Sequence, residues 1–404
     1  MKKLYIISYY FAPLGRADGI NRSYLVRYLS ELGWNIEVIS CANPHGFMRN
    51  FQKDQSLMKI IPSDVRLHPV QSFYWGPFGN IAAILRLIPD PFLNWRRPAV
   101  KKGRDIVSSP GIIYAVAPPL INILVADEIA KNTGMPLVID LRDNLFGIPE
   151  KTIPQIQGMV ASTPFSLKEM LRHYGIDSRK GHVMYNGFPD DAVIQTLDKS
   201  DFHRNELKIV YAGLINLDQD PAILIRAIKL LEKRHPDTKG LIQTDFFGPK
   251  NYYTRWFLKP YLDEQFRFHG YIPFNEVVKK VASSDMAFSS LRGTRKSRGT
   301  DKSYCIPSKV YQYIATETPI FAVGPPGALS DLIRNEGIGL FAPFSDIGEQ
   351  ADMLYSVLTQ RDMLMPMREN IRKLKPKMAM RTQVSGLDQY LTTIYEDMKC
   401  FSPP

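Results

Sequence analysis

Short apolar runs of strand length alternate along this chain with segments of helical periodicity, and glycines stand at many of the joints. Residues 4–8 (LYIIS) read as a buried strand, and a turn-rich stretch occupies 12–19. Leu25, Leu29 and Leu32 then recur at helical spacing, with Gly33 placed to end the helix. Residues 36–40 (IEVIS) form the next strand. Strand, glycine-bearing loop, helix, glycine and strand make a βαβ unit, which implies a parallel sheet.

The order returns as strand 111–118, helix 121–131 ended by Gly134, strand 136–143, and a strand at 182–188 that closes the first half. Residues 189–206 are polar and acidic with little periodicity and read as a linker. The second half restarts with strand 208–213, helix 221–234, a strand end at 245–248, a short strand into a turn at 267–273, helix 274–283 and strand 285–291. Helix 309–316, strand 319–324 and helix 329–336 follow, then helical stretches at 347–360, 363–374 and 384–399. The expected fold is α/β, with two Rossmann-like, doubly wound domains facing an interdomain cleft. They span 1–195 and 206–375, and a C-terminal helix over 378–400 is expected to pack back on the first. Open parallel sheets bind ligands beyond the carboxyl ends of their strands, so such a cleft suits two substrates or one nucleotide-bearing substrate.

Composition narrows the partners. Hydrophobic residues make up 45% and charged residues 23% of the 404, which excludes wholesale disorder. Cys41, Cys305 and Cys400 are too scattered for a disulfide framework or a zinc site and suit a reducing compartment. The formal charge of +11 implies nucleic acid, an acidic membrane surface or a phosphorylated ligand, or else only a solvated basic surface. The opening MKKLYIISYYFAPL imitates a signal peptide, but tyrosines interrupt it and no small-residue cleavage pattern follows. The longest uncharged apolar run, 112–126, contains Pro118, Pro119 and Asn122 and is too short to span a bilayer.

Four clusters carry candidate chemistry. In the loop 10–23, Gly15 and Gly19 let backbone approach a ligand, and the helix start offers free N–H groups to an anion or a hydroxyl-rich ligand. Asp18 there is either an acid/base or a helix cap. Asp140, Arg142 and Asp143 follow a buried strand, as functional groups or as an ion pair that fixes the loop. From 292 to 309, Arg292, Arg295, Lys296, Arg298, Lys302 and Lys309 meet one acid, Asp301, in a glycine-bearing loop suited to a diphosphate. Ser308 and Lys309 stand at the positive end of the next helix. Nucleic acid ranks below phosphate, because the loop has one aromatic, Tyr304, and no nucleic-acid motif. Residues 73–104 are aromatic and then basic. Trp75, Phe78, Trp95, Arg96, Arg97, Lys101 and Lys102 fit an interfacial membrane contact, with a core helix bearing a basic end as the alternative. The seven histidines show no metal-ligand spacing.

Several segments, in order, resemble bacterial glycosyltransferases of the GT-B fold, specifically the large retaining group called family 4. They are the Asp18-Gly19 loop with Arg22, APP with PLVIDLRDNLF, YNGFPDD, YAGLINLDQDPAILIRAI, FFG, FHGYIPFNEV, and IPSKVYQYIATETPIFAVGPPG. The resemblance covers nearly the whole chain. It implies transfer of a sugar, with retention, from a UDP-, GDP- or dTDP-sugar to a hydroxyl of a lipid-linked or polysaccharide acceptor. Given the aromatic and basic segment 73–104, the expected setting is capsule, O-antigen or exopolysaccharide assembly at the cytoplasmic face of the membrane, with an anionic membrane surface as a partner. Neither metal, separate cofactor nor nucleic acid is expected. The donor's base would rest against Gly270, Tyr271 and Ile272. Its diphosphate would face Ser308, Lys309 and the backbone near Gly213, with Gly248, Arg298, Tyr304 and Gln312 completing the donor site. The acceptor would lie near Asp18, Gly19, Arg22, Asp140, Arg142 and Asp143. Two glutamates eight positions apart in the family are here Tyr304 and Gln312, and Leu214-Ile215-Asn216 replace its basic residue after YAG. These departures leave a catalytically silent paralogue, acting as a binding partner or scaffold, as the alternative.

Overall fold

A computed structural model describes residues 2–14, 17–44, 53–73, 92–143, 147–190, 205–292 and 303–401. The chain divides into two compact units: Met1–Asn186 together with Met380–Pro404, and Gly187–Ala379.

Unit 1 is built on seven parallel strands: β1 (Lys2–Ser8), β2 (Trp34–Cys41), β3 (Arg66–Val70), β4 (Ile112–Ala117), β5 (Leu137–Leu141), β6 (Ile156–Ala161) and β7 (Gly181–Val183). Their order across the sheet is β3-β2-β1-β4-β5-β6-β7. The central strands are apolar throughout, because helices cover both faces. Tyr5 and Ile7 of β1 join one core with α2 (Arg96–Ile106), α3 (Ile121–Thr133) and α4 (Pro164–Tyr174). Leu4 and Ile6 point the other way, into a core with Leu25 and Leu29 of α1 (Ala17–Glu31).

That second core also takes Val384, Leu387 and Leu391 from the last helix of the chain, α11 (Met380–Phe401). Polar contacts pin it: Lys2 Nζ lies 2.6 Å from Asp388, Trp34 Nε1 donates to the same carboxylate at 2.7 Å, and Arg381 pairs with Glu31 at 2.7 Å. A Cβ at Gly158 of β6 would fall 2.3 Å from the Tyr390 hydroxyl, so glycine there lets α11 lie on the sheet.

Unit 2 has six parallel strands: β8 (Leu207–Ala212), β9 (Ile242–Phe247), β10 (Phe266–Gly270), β11 (Met286–Ser290), β12 (Ile320–Gly324) and β13 (Gly339–Pro343), in the order β10-β9-β8-β11-β12-β13. Its helices are α5 (Ala222–Arg234), α6 (Phe274–Ala282), α7 (Ser308–Ala315), α8 (Ala328–Asn335), α9 (Ile347–Thr359) and α10 (Leu364–Met378). Phe288 and Phe321 centre the core shared with α5 and α9.

Sequence reading missed β3, β6, β13 and α4. Both β3 and β13 are edge strands carrying a proline, Pro69 and Pro343, which reads as a turn out of context. Residues 182–188 do not form the expected long strand. The ladder of β7 stops at Val183, and the Tyr185 N–H instead donates to the Gln383 side chain of α11 at 2.9 Å.

Candidate functional site

In unit 1, the chain leaves the carboxyl ends of β1, β4 and β5 in loops that are tied together. A Cβ at Gly19 would fall 2.1 Å from the Leu14 carbonyl oxygen, so only glycine lets α1 start against the first loop. Buried Arg22 donates to the carbonyls of Tyr10 (2.5 Å) and Pro118 (2.9 Å), bridging the loops after β1 and β4. Buried Asn122 strengthens the bridge by accepting from Tyr9 N (2.9 Å) and donating to Val116 O (2.5 Å). Asp18 is half-buried in the first turn of α1, where a negative charge suits the helix dipole.

Asp140 is fully buried in β5. Its Oδ2 accepts from the Tyr114 hydroxyl (2.7 Å) and from Arg142 Nη2 (2.6 Å) and Nε (3.0 Å), and Arg142 also donates to Met184 O at 3.0 Å. Burial, reinforced by the Asp140 charge, pushes the Tyr114 hydroxyl well above its ordinary pKa. The pair has the geometry of the loop-fixing ion pair, while Asp143 beside it is exposed. His182 stacks on Tyr390 with centroids 4.9 Å apart, and burial lowers its pKa.

In unit 2, three glycines meet at neighbouring strand ends. Gly213 N donates to Phe247 O at 2.9 Å, and Gly248 N donates to Gly270 O at 2.9 Å. A Cβ at Gly248 would fall 2.2 Å from Gly213 O. Gly213 (φ +144) and Gly270 (φ +77) adopt backbone angles that side chains disfavour. A Cβ at Gly213 would also meet the Lys309 side chain, 2.9 Å from its Cε.

Lys309 is only 4% exposed. Its amine donates to the Tyr211 hydroxyl and lies 3.8 Å from that ring's centroid, while Tyr211 donates in turn to Leu214 O at 2.6 Å. Among the described residues no carboxylate lies within ion-pair distance of it, and burial holds its pKa well below the usual lysine value. The relay supports the loop after β8, which Asn216 closes by accepting from Asp218 N (3.0 Å) and Gln219 N (2.8 Å). Asn251 donates to Ile215 O at 2.7 Å from the segment after β9.

Ser308 is the exposed first residue of α7, Tyr271 is exposed after Gly270, and Ile272, Tyr304 and Gln312 are half-buried. Arg298 lies outside the described residues. Sequence reading missed Tyr114, Asn122, Tyr211, Asn216 and Asn251. Tyr211 and Asn216 lie within the YAGLIN segment without having been given a role there, while for Tyr114, Asn122 and Asn251 a polar side chain inside or beside an otherwise apolar element was the only signal.

The expected membrane contact needs correcting. Trp95 is fully buried, its ring edge-on to Tyr9 at 5.3 Å, so it cannot touch a bilayer. Arg96 is engaged with Glu128 at 3.0 Å. Arg97 and Lys101 are exposed and Lys102 half-buried on α2, so Arg96–Ile106 is a helix with one buried face and one basic face; Trp75 and Phe78 lie outside the described residues. Among the described residues no helix is long and apolar enough to cross a membrane, and no three His, Cys, Asp or Glu side chains gather as a metal ion requires.

No known protein-family profile and no curated protein matches the sequence. Solved structures do match in shape. The Anabaena protein HepE in complex with UDP superposes with a TM-score of 0.68 at 13% identity, over 97% of this chain and 100% of its own. A glycosyltransferase from Rickettsia africae gives 0.66 at 15% identity, covering 99% of each chain. WaaG, a glycosyltransferase involved in lipopolysaccharide biosynthesis, gives 0.63 at 12% identity, over 96% of this chain and 99% of its own. At these identities the likeness speaks for architecture, and with two parallel α/β sheets of seven and six strands the chain has the GT-B fold.

Proposed function

We propose that the protein transfers a sugar, with retention of configuration, from a nucleoside diphosphate donor to a hydroxyl of a lipid-linked or polysaccharide acceptor. The setting is assembly of a bacterial surface polysaccharide at an anionic membrane surface. One observation carries the reading: Lys309 holds a desolvated amine beneath the Gly213 turn with no carboxylate to balance it among the described residues. A buried cation is costly unless an anion compensates it, and a donor diphosphate over Gly213 and Ser308 supplies that anion. The neighbours point the same way, since HepE was solved with UDP and WaaG is a glycosyltransferase.

In this reading Gly270, Tyr271 and Ile272 take the base, while Tyr304 and Gln312 reach the donor's hydroxyls from the α7 side. Gln312 stands where the resemblance implies a glutamate; it still donates and accepts hydrogen bonds but adds no charge. The acceptor is held near Asp18, Gly19, Arg22 and the 140–143 loop. As the bond from the anomeric carbon to the diphosphate oxygen breaks, the acceptor oxygen bonds to the same face, and its proton passes to the leaving phosphate. The chain's own groups orient the partners and stabilise charge on the departing diphosphate.

The test is thermal unfolding against UDP-, GDP-, dTDP- and CMP-sugars. Donor binding raises the melting temperature by mass action, and Lys309→Met removes the rise. If no donor shifts the wild type, the catalytically silent paralogue is the reading that stands.

A further inference from the structure

The segment between β9 and β10 carries exposed aromatic surface that no strand-end site uses. Tyr252 is 73% exposed, Trp256 57%, Phe257 49% and Tyr261 42%. These rings are gathered: Tyr252 lies 6.2 Å from Trp256 and 6.4 Å from Phe257 between centroids, and Tyr253 stacks on Phe257 at 4.7 Å. The turn that presents them (Thr254–Leu258) is fastened from below by fully buried Leu258 and by Thr254, which exchanges hydrogen bonds with Asn251. A groove of about 910 Å³ elsewhere in the chain is lined by charges of both signs, whereas the one here, about 860 Å³, has Lys250, Arg255 and Lys259 beside Tyr252 and Trp256 and no acidic residue. From 249 to 262 the sequence contains no Asp or Glu at all, and Arg255 sits 5.7 Å over the Trp256 ring.

We propose that this patch is the protein's docking surface for an anionic lipid bilayer. Water penalises so many clustered aromatic rings, and the amphipathic Trp and Tyr side chains gain most at head-group depth. The three cations complement the negative surface potential of acidic lipids, and one of them, Arg255, lies over the Trp256 ring. Unlike α2, where Arg97 and Lys101 are exposed while Trp95 just before it is buried, this segment offers charge and apolar surface together. The proposal deepens the membrane part of the proposed function by assigning the surface that meets the bilayer.

The experiment floats the full-length protein with vesicles of phosphatidylcholine alone and with added phosphatidylglycerol, at low and high salt. Binding is expected only to the anionic vesicles, weakening with salt. The exposed triple variant Lys250→Ser/Arg255→Ser/Lys259→Ser should lower the partition coefficient by roughly 100-fold at low salt, and Tyr252→Ser/Trp256→Ser/Phe257→Ser should also lower it. Arg97→Ser/Lys101→Ser/Lys102→Ser should leave it unchanged. Of the four tryptophans Trp34 and Trp95 are fully buried, so a blue shift on binding that Trp256→Phe abolishes and Trp75→Phe keeps reports the Trp256 ring entering the interface. The proposal is overturned if the α2 variant loses binding while the patch variants keep it. It also fails if anionic vesicles do not bind while a soluble anionic polysaccharide does. The donor-induced melting shift is read without lipid, so failure of the docking surface and failure of the transferase reading are separate results.

Discussion

Each unit holds a cation near its strand ends, half-buried Arg142 in one and buried Lys309 in the other, and they treat it differently. In unit 1, Arg142 is closed in by protein: the Met184 carbonyl and the Asp140 carboxylate, which also accepts from Tyr114. In unit 2, Lys309 has a tyrosine hydroxyl and ring but no carboxylate among the described residues. A charge matched within the fold stabilises a loop and has little left for a ligand. A charge left unmatched costs the empty protein stability and is an attraction held in reserve for an anion. The contrast therefore predicts opposite signs for removing the two cations.

The largest effect is expected at Arg142. Arg142→Met strands the Asp140 carboxylate in the core and should cost about 3–5 kcal/mol, seen as a lower urea midpoint. An unchanged midpoint would break the comparison on the unit 1 side. Next comes Gly213→Ala, where backbone at φ +144 and a contact 2.9 Å from Lys309 Cε combine. A strained position of this kind costs about 1–3 kcal/mol, and the donor-induced melting shift should vanish with it. Gly33→Ala, at φ +86 with nothing within 4 Å, carries the backbone cost alone and serves as the control.

Lys309→Met should leave the ligand-free melting temperature equal or higher while erasing the donor response. Its pH dependence sharpens the point. The folded-state pKa is depressed, so the unfolded chain holds the extra proton between that value and the free-lysine value near ~10.4. Wild-type stability should rise with pH through that window, and Lys309→Met should lose the rise. A wild type insensitive to alkali would place the amine in water. The smallest effect is at His182, whose pKa burial also lowers. Stability should fall as pH drops from about 6.5, the unfolded histidine value, toward the folded one. His182→Phe should flatten that slope in acid melts.

Much of the fold was legible because strands buried on both faces read as unbroken apolar runs, as in β1 and β4. The loops at the strand ends were legible for the same reason, since glycine and charge follow those runs directly. What failed was judging which side chains point inward. Lys309 was expected to face a donor diphosphate from the helix start, but its depth was not foreseen: it lies one helical turn from Tyr313 and next to Val310, all buried. Trp95 was weighed by the company of its basic neighbours, while the spacing Trp95, Ala99, Gly103 marks the inward stripe of α2 and the turn before it. The aromatic turn after β9 carried no helical or strand period, so it passed as an unremarked connection.

The return of α11 to unit 1 has a consequence for how the chain comes off the ribosome. Lys2 and Asp388 are partners across 386 positions, and the core around Leu4 and Ile6 takes in Leu387 and Leu391. Unit 2 is one continuous stretch and can close while synthesis continues; unit 1 stays open along one face until its final segment emerges. During that interval the core around Leu4 and Ile6 lacks Val384, Leu387 and Leu391, a window in which a chaperone can decide the outcome.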